Sequence, residues 1–577
     1  MRLSSMLIGM YLAEKLGFNF GFVWDNSIDL DRFDIRTKIS EDIYYFANDM
    51  ENVSSIFSYF FLKKYYITDY KIQANHGFKL HSKIRTFDEI KSPPFENEWG
   101  WYSTDIPPYC WLKDCKKEEF LCIVRDIYNN QFIFSSDYQQ IFDNVNVINE
   151  KINNFIALHI RGGDIVYSSL RKHAGRKALE ERFFPYEIAL EIIKRHANAN
   201  VKIIIFGQDV KSNMKLLNYI VENKILPKNK IFTVDEFINQ TFNIFERTFF
   251  EMNLMSHALK IYTPGIQAQK SAFSQCAMMI AGRKNIISYH EIFSLKQQYQ
   301  IIKSNLGLLG LDSLYDSMAY FQLYKLSRIL NLTLDLSLNY IKKAMELDQD
   351  NDAWGIHYIH CCFLLGDLEA IEAFLRVLFD SNKLNNLLQT FIISKSMRIY
   401  KEQEDCFISF RSTKIYPMIN YVGMWLNYHY GEFVRVYKMH KNYQKYFNDL
   451  EVDTQCFFSC YQKKDLISNS AVLIVKNHLS YKLGKILLEC KNLKDFVEIP
   501  IIIKYFLWES KNEKAYFKSF LFEIEKLDDY NQSCSITNYL SYQLGKLIIE
   551  SFKGWYKGYL LLLPYKAFIL YRKIKKR

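Results

Sequence analysis

The stretch Phe155-Ile-Ala-Leu158, running into His159-Ile160-Arg161-Gly162-Gly163-Asp164, constrains the fold more than any other part of the chain. Four apolar residues in a row suit a short buried strand. The strand then ends by presenting an imidazole, a guanidinium and a carboxylate at its carboxyl edge, with two glycines that allow a ligand close approach. Open α/β sheets bind their ligands at that edge. An arginine placed there suits a diphosphate, because its planar fork makes two charge-assisted hydrogen bonds. The six residues alone also fit a surface Arg–Asp pair on a strand-to-loop turn, and a motif this short does not separate the two readings.

The residues that follow favour the ligand-binding reading. Phe184-Pro185-Tyr186-Glu187 opens an amphipathic stretch, and Val201-Lys-Ile-Ile-Ile-Phe206 is a second strand, closed by Gly207-Gln208-Asp209. Glu251-Met-Asn-Leu-Met-Ser256 leads into a third strand-like run, Leu259-Lys-Ile-Tyr262. Ser271-Ala-Phe-Ser-Gln275 then opens a helical segment, Cys276 to Ala281. Over 151–295 strands and helices alternate, which predicts a doubly wound parallel sheet.

In this order, over roughly 151–282, the pieces resemble the donor-binding half of the fucosyltransferase-like superfamily, which includes bacterial α-1,2- and α-1,6-fucosyltransferases and protein O-fucosyltransferases. Its pattern is His-x-Arg-x-x-Asp, an Asp after the next strand, an acidic residue before a Leu-rich strand, and a Ser/Phe/Ser-type turn. The resemblance implies a GT-B-like pair of Rossmann-type domains. It also implies transfer from a GDP-sugar, inverting and without an essential metal. The donor is a co-substrate, so no bound cofactor is expected and no metal site is predicted. Arg161 would clamp the departing diphosphate. Ser274, with the backbone N–H groups at the start of its helix, would add donors to the phosphates, and Gly163 and Gln275 complete the donor-binding set. Asp209 and Glu251 would hold the guanine or ribose. His159 would orient Arg161 or touch a phosphate, although a satisfied strand-end histidine is an equal reading. The base is Asp164, with Glu180 and Glu181 as alternatives. Two departures weaken fucose more than they weaken a GDP-sugar in general. Gly162 stands where many relatives carry a second arginine, whose place Arg171 or Arg176 would take, and Glu251 stands where aspartate is usual.

A chain of 577 residues exceeds one core, so several domains are expected. Its 41 Tyr and 45 Phe, with only 21 Gly and 10 Pro, favour helix-rich packing and exclude extensive disorder. Eleven cysteines without a Cys-x-x-Cys pair read as free thiols of a reducing compartment, with zinc at Cys110, Cys115 and Cys122 the alternative. No apolar window is long enough to span a membrane, and Leu3 to Leu12, broken by Glu14 and Lys15, is not an export signal. That run has helical spacing, Gly17 supplies a stop, and Phe20-Gly-Phe-Val-Trp24 reads as a strand. In the superfamily the equivalent helix follows a strand and a Gly-rich turn, and Met1-Arg2-Leu3 already falls inside that turn.

The expected organisation is an N-terminal acceptor-side α/β domain (1–150), the donor-binding α/β domain (151–295), an all-α tetratricopeptide-like region (310–550) and a basic tail (551–577). The N-terminal part holds a Pro/aromatic segment, 93–108, that would suit a sugar cleft or simple packing. Within the helical region Asn477-His-Leu-Ser-Tyr-Lys-Leu-Gly-Lys-Ile-Leu-Leu-Glu489 recurs as Asn538-Tyr-Leu-Ser-Tyr-Gln-Leu-Gly-Lys-Leu-Ile-Ile-Glu550, with eight of thirteen positions identical. This element resembles the C-terminal segments of bacterial capsule and lipopolysaccharide transferases, notably of ε-proteobacteria. It holds no acid/base pair and reads as two helices that dock alike. The tail carries eight basic and no acidic residues, interleaved with Trp555, Tyr556, Tyr559, Phe568 and Tyr571. An anionic membrane surface matches both features; a packed terminal helix and nucleic acid are the other readings, and nucleic acid leaves the Leu-rich run unpartnered.

Together these features predict a glycosyltransferase that moves fucose or a related deoxy sugar from a GDP-sugar to a bacterial surface glycan. Its acceptor would be a glycan or lipid-linked oligosaccharide, and it would sit in the cytoplasm, peripheral at the inner face of the inner membrane, without a nucleic-acid partner. The competing expectation is a non-catalytic scaffold of polysaccharide assembly built on a degenerate transferase domain.

Overall fold

The computed structural model describes residues 2–24, 36–40, 43–46, 52–67, 81, 83–93, 106–167, 171, 182–238, 242–265, 270–393, 400–410, 415–430, 432, 434–439, 475, 478–489, 499, 501–503, 530–553, 559 and 562–575. Most of the Pro/aromatic segment, together with Arg176, Glu180 and Glu181, lies outside them. Two compact units divide between Gly355 and Ile356.

In the first unit five strands form one parallel sheet: β1 (Phe155–His159), β2 (Lys202–Phe206), β3 (Ile231–Thr233), β4 (Ile261–Thr263) and β5 (Ile286–Ser288). Their order is β3-β2-β1-β4-β5. The chain therefore winds outward in one direction through β2 and β3, returns beside β1, and winds outward the other way. The α/β class expected from the alternation is present, and the reversal point lies between β1 and β4, where such sheets open a ligand crevice. Register fixes the edge: His159 pairs with Phe206, and Leu158 pairs with Tyr262. The apolar runs are continuous because both faces are covered, and β1 and β2 bury almost every side chain.

The described helices between residues 2 and 152 cover one face of this sheet. Helix α1 (Arg2–Leu16) packs on α2 (Lys117–Asn130), and α3 (Ser136–Ile152) leads into β1. Leu7, Tyr11, Phe120, Val124 and Ile141 share one core with Phe155 and Ala157 of β1 and with Ile204 and Phe206 of β2. Gly17 ends α1 at φ +71°, in the left-handed region that glycine favours. Among the described residues the strand expected at 20–24 is a single bridge, Phe22 to Tyr66, in which the Phe22 amide donates to the Tyr65 carbonyl and the Ile67 amide to that of Phe22. Among the described residues the N-terminal 150 contribute helices, isolated bridges and one antiparallel pair, Arg36–Ser40 with Ile43–Phe46.

Around and beyond the sheet lie α4 (Gly163–Val166), α5 (Tyr186–Arg195), α6 (Val210–Glu222), α7 (Ile244–Ser256) and α8 (Ala272–Ala281). The first helices of the expected tetratricopeptide-like region, α9 (Ser313–Ile329) and α10 (Leu334–Leu347), belong to this same unit. They are held by chemistry as well as packing. The Arg171 guanidinium pairs with the buried Asp348 at 3.1 Å, and Asn351 donates to the Arg171 carbonyl. Trp354 Nε1 donates to Ser317 Oγ at 3.1 Å.

The described part of the second unit is helical. In it α11 (Leu368–Asp380) supplies Glu372, whose carboxylate accepts the Met418 and Ile419 amides that open α12 (Pro417–Tyr430). A carboxylate at a helix N-terminus satisfies donors the helix cannot pair itself. The repeated element forms α13 (Leu479–Glu489) and α14 (Leu540–Lys553), and the two copies dock on each other. They cross at equivalent glycines. A Cβ on Gly484 would lie 1.5 Å from the Ser541 carbonyl oxygen, and one on Gly545 would lie 1.6 Å from that of Ser480. Each copy thus sets its Ser-x-x-x-Gly face against the other, and His478 Nδ1 meets Tyr542 Oη at 3.1 Å beside the crossing. The terminal helix α15 (Leu563–Lys575) packs on α14.

Candidate functional site

At the reversal point three side chains from three elements form one hydrogen-bonded chain. His159 closes β1, Thr263 closes β4, and Ser274 lies in the first turn of α8. Ser274 Oγ is 2.7 Å from His159 Nδ1 and 3.0 Å from Thr263 Oγ1. Both hydroxyls are fully buried. Buried hydroxyls need partners, and here each supplies the other's. Phe273 lies against the His159 ring at 5.3 Å between centroids. Ser274, expected to donate to a phosphate, thus has its hydroxyl turned inward; what α8 offers toward the sheet edge is its backbone N–H groups.

The loop after β1 follows directly. Arg161 is half-buried, and its carbonyl accepts the Phe184 amide at 3.0 Å, which holds the approach to α5 against the loop. Gly163 is buried and opens the one-turn helix α4, which contains Asp164. Gly162 has a specific steric reason. A Cβ at that position would lie 2.9 Å from Cε1 and Oη of Tyr315, which is buried on α9. Tyr315 thus occupies the space that a second arginine would need. Arg171, one of the two candidates to replace it, has its guanidinium engaged by Asp348.

Asp209 ends the loop after β2 as a buried helix cap: its carboxylate accepts the Ser212 amide at 3.0 Å and the Ser212 hydroxyl at 2.7 Å. Such a cap satisfies one of the orphan donors of α6. The loops after β1 and β2 touch, since a Cβ on Gly207 would fall 2.5 Å from the Ile160 carbonyl oxygen. Tyr167, Tyr186 and Tyr315 gather around Asp209. Burial, then nearby charges that include Asp209, raises all three phenols well above their usual range. Tyr186 Oη donates to Asn213 Oδ1 at 2.9 Å, and Asn213 Nδ2 donates to the Gly207 carbonyl.

Glu251 lies apart from this group, midway along α7. Arg247 Nε donates to it at 2.7 Å, and the same guanidinium reaches Asp235, just after β3, at 2.9 Å. Burial raises the Glu251 carboxyl, and the Arg247 charge opposes that shift. Gln275 is buried beside Ser274, and its Nε2 donates to the Lys270 carbonyl at 2.7 Å.

The structure therefore brings His159, Arg161, Gly163, Asp164, Ser274 and Gln275 to one stretch of the sheet's carboxyl edge, sets Asp209 on the adjacent loop, and places Glu251 in a separate ion triad. Sequence reasoning passed over Thr263 and Tyr315. Thr263 ends a strand as His159 does, a signal that gains meaning only once β1 and β4 are neighbours. Tyr315 has no local signal. Among the described residues no group of three or more His, Cys, Asp or Glu side chains is clustered as a metal would require. The described cysteines form no disulfide, and Cys115 Sγ lies 3.4 Å from Tyr11 Oη.

Against known proteins, residues 409–576 match a family model described as a domain of unknown function (DUF8374). No curated protein and no solved structure matches the chain.

Proposed function

We propose that the first unit is a glycosyltransferase that moves fucose or a related deoxy sugar from a GDP-sugar to a bacterial surface glycan. One observation carries the reading: the His159–Arg161 segment lies at the reversal point of a doubly wound parallel sheet, with the first turn of α8 tied to it through Ser274. In this reading residues 151–295 are the donor half of a GT-B pair. The acceptor side falls to residues 1–150, whose described part packs on one face of the same sheet.

Departure of GDP from an oxocarbenium-like centre builds negative charge on the diphosphate, so stabilising that charge is the main electrostatic task. Arg161 supplies a fixed positive fork. The first turn of α8 adds N–H donors and the positive end of its dipole. Ser274 and Thr263 fix the His159 ring, so that Nδ1 is committed inward. Asp164 takes the acceptor proton, and attack from the face opposite the leaving group inverts the anomeric centre.

The test is GDP release from a panel of GDP-sugars by the full-length protein, with and without oligosaccharide acceptors. Turnover with one GDP-sugar supports the reading. The scaffold reading is favoured by Tyr315 filling the place of the second arginine. It predicts no thermal shift with GDP and no turnover with any donor.

A further inference from the structure

We propose that α15 docks the protein on an anionic lipid surface, lying parallel to it with a defined apolar face inward. The helix has two different faces. Leu563, Lys566, Ala567, Leu570 and Ile574 are partly buried on the side that packs on α14. On the outer side Tyr565 is 65 % and Phe568 55 % exposed, with Arg572 exposed beside them, and Ile569, 47 % exposed, stands at the rim of the groove against α14. The spacing 565, 568, 569, 572 sets these four on one stripe of the helix. Leu562, 48 % exposed, extends that stripe at its start. A contiguous apolar stripe of this kind on a terminal helix is unusual for a surface that meets only water.

Charge identifies the occupant. Residues 551–577 hold eight basic and no acidic residues. Arg572 lies over the Phe568 ring at 5.0 Å, and Lys566 over the Tyr559 ring at 4.3 Å, so cations and aromatic faces alternate along the segment. The groove between α14 and α15 is lined by Lys546 and Lys566, and Glu550 is the single acidic group among the lining residues. An interfacial helix needs this combination: aromatic and aliphatic groups at the acyl boundary, and Lys and Arg level with the phosphates. A nucleic acid would use the charge and leave Tyr565, Phe568 and Ile569 exposed. No helix among the described residues is long and apolar enough to cross a membrane.

The experiment uses the full-length chain with vesicles of phosphatidylcholine alone or mixed with phosphatidylglycerol. Sedimentation should be strong only with phosphatidylglycerol and should weaken as salt rises. Replacing Arg572, Lys573 and Lys575 together by Gln removes three charges, each worth about five-fold near the surface, so affinity should fall about 100-fold. Tyr565→Ser, Phe568→Ser and Ile569→Ser combined should abolish the binding that survives at high salt. Tyr565 and Phe568 are exposed and Ile569 stands only at the rim of the groove, so the circular dichroism of this variant should match wild type. Phe568→Trp should add fluorescence that acyl-brominated lipid quenches. Equal sedimentation with both vesicle types, unchanged binding by the serine variant, or an unquenched tryptophan would each overturn the proposal. So would tight binding to a polyanionic nucleic acid that the serine substitutions leave intact in the absence of vesicle binding.

Discussion

Substituting alanine at Gly484 tests the crossing of the two repeat helices, because two effects of opposite sign compete there. Alanine is the better helix former by about 1 kcal/mol, so at an exposed position the change would stabilise α13. At the crossing, the new Cβ would lie 1.5 Å from the Ser541 carbonyl oxygen, 2.5 Å from its carbon and 2.9 Å from the Gly545 nitrogen. All three are backbone atoms and cannot swing aside. Restoring even a 3 Å separation parts the helices by about 1.5 Å, and a gap of 0.5–1 Å already forfeits roughly a quarter to a half of each facing contact. Leu483, Ile486, Leu544 and Ile548, buried on the two helices, would be affected. Overpacking costs about 1–3 kcal/mol when side chains can yield, so a backbone clash belongs at the upper end. The net effect is a loss of about 2 kcal/mol, equivalent to roughly 30-fold in the opening equilibrium. Hydrogen exchange read by mass spectrometry on 479–489 and 540–553 should accelerate by that factor in both helices together. Gly545→Ala should do the same, and the double variant should cost less than the sum, because the first methyl has already opened the gap for the second. Slower exchange in Gly484→Ala, or strict additivity of the pair, would refute the crossing.

Arg161→Ala should lower GDP-sugar turnover by about 100-fold or more with unchanged thermal stability, and Arg161→Lys should rescue poorly because a point charge lacks the bidentate fork; activity within a few-fold of wild type would eliminate the clamp. Ser274→Ala removes the 2.7 Å contact to His159 Nδ1 and the 3.0 Å contact to Thr263 Oγ1, so it should lower turnover, whereas unchanged kinetics would make the Ser274 contact purely structural. EDTA should leave turnover unchanged, since Arg161 and the α8 N–H groups carry the charge in the proposed mechanism; loss restored by Mg²⁺ or Mn²⁺ would contradict it. Glu187, buried at the start of α5, has its carboxyl raised by burial from 4.5 to about 8. The native chain therefore binds a proton the unfolded chain releases, so Glu187 costs nothing below pH 4.5 and progressively more as pH rises to about 8, with an upper limit of roughly 5 kcal/mol. Glu187→Gln should flatten that decline in urea midpoints between pH 5 and 8, and an unaltered slope would refute it.

Local patterns in the sequence carried the elements that local forces build. The four-residue apolar run placed β1, Val201–Phe206 placed β2, Gly17 marked the end of α1, and the helix read over Cys276–Ala281 is the later part of α8, which begins at Ala272. Each depends on periodicity, capping or a left-handed turn within a few residues. The repeat was equally legible, and so was the concentration of positive charge after Ser551. The wider likeness to a transferase donor half rested on motif order alone; along the sheet edge the strands run β3-β2-β1-β4-β5, so the Asp209 loop lies on one side of His159 and Ser274 on the other.

What the sequence left open are meetings between side chains far apart along the chain. His159 and Ser274 are 115 residues apart, and which way the Ser274 hydroxyl turns follows from β4 returning beside β1. Arg171 read as a phosphate ligand until Asp348, 177 residues later, claimed it. Gly162 read as a missing arginine, and Tyr315 on α9 is what stands in its place. The two Leu-Ser-Tyr helices were visible as copies, but only their crossing gives the glycines a purpose. Secondary structure is written in spacings of two to four residues, which any chain segment carries with it. Contacts of this kind exist only after crossovers and helix docking have closed long loops, and no local pattern records which distant group arrives.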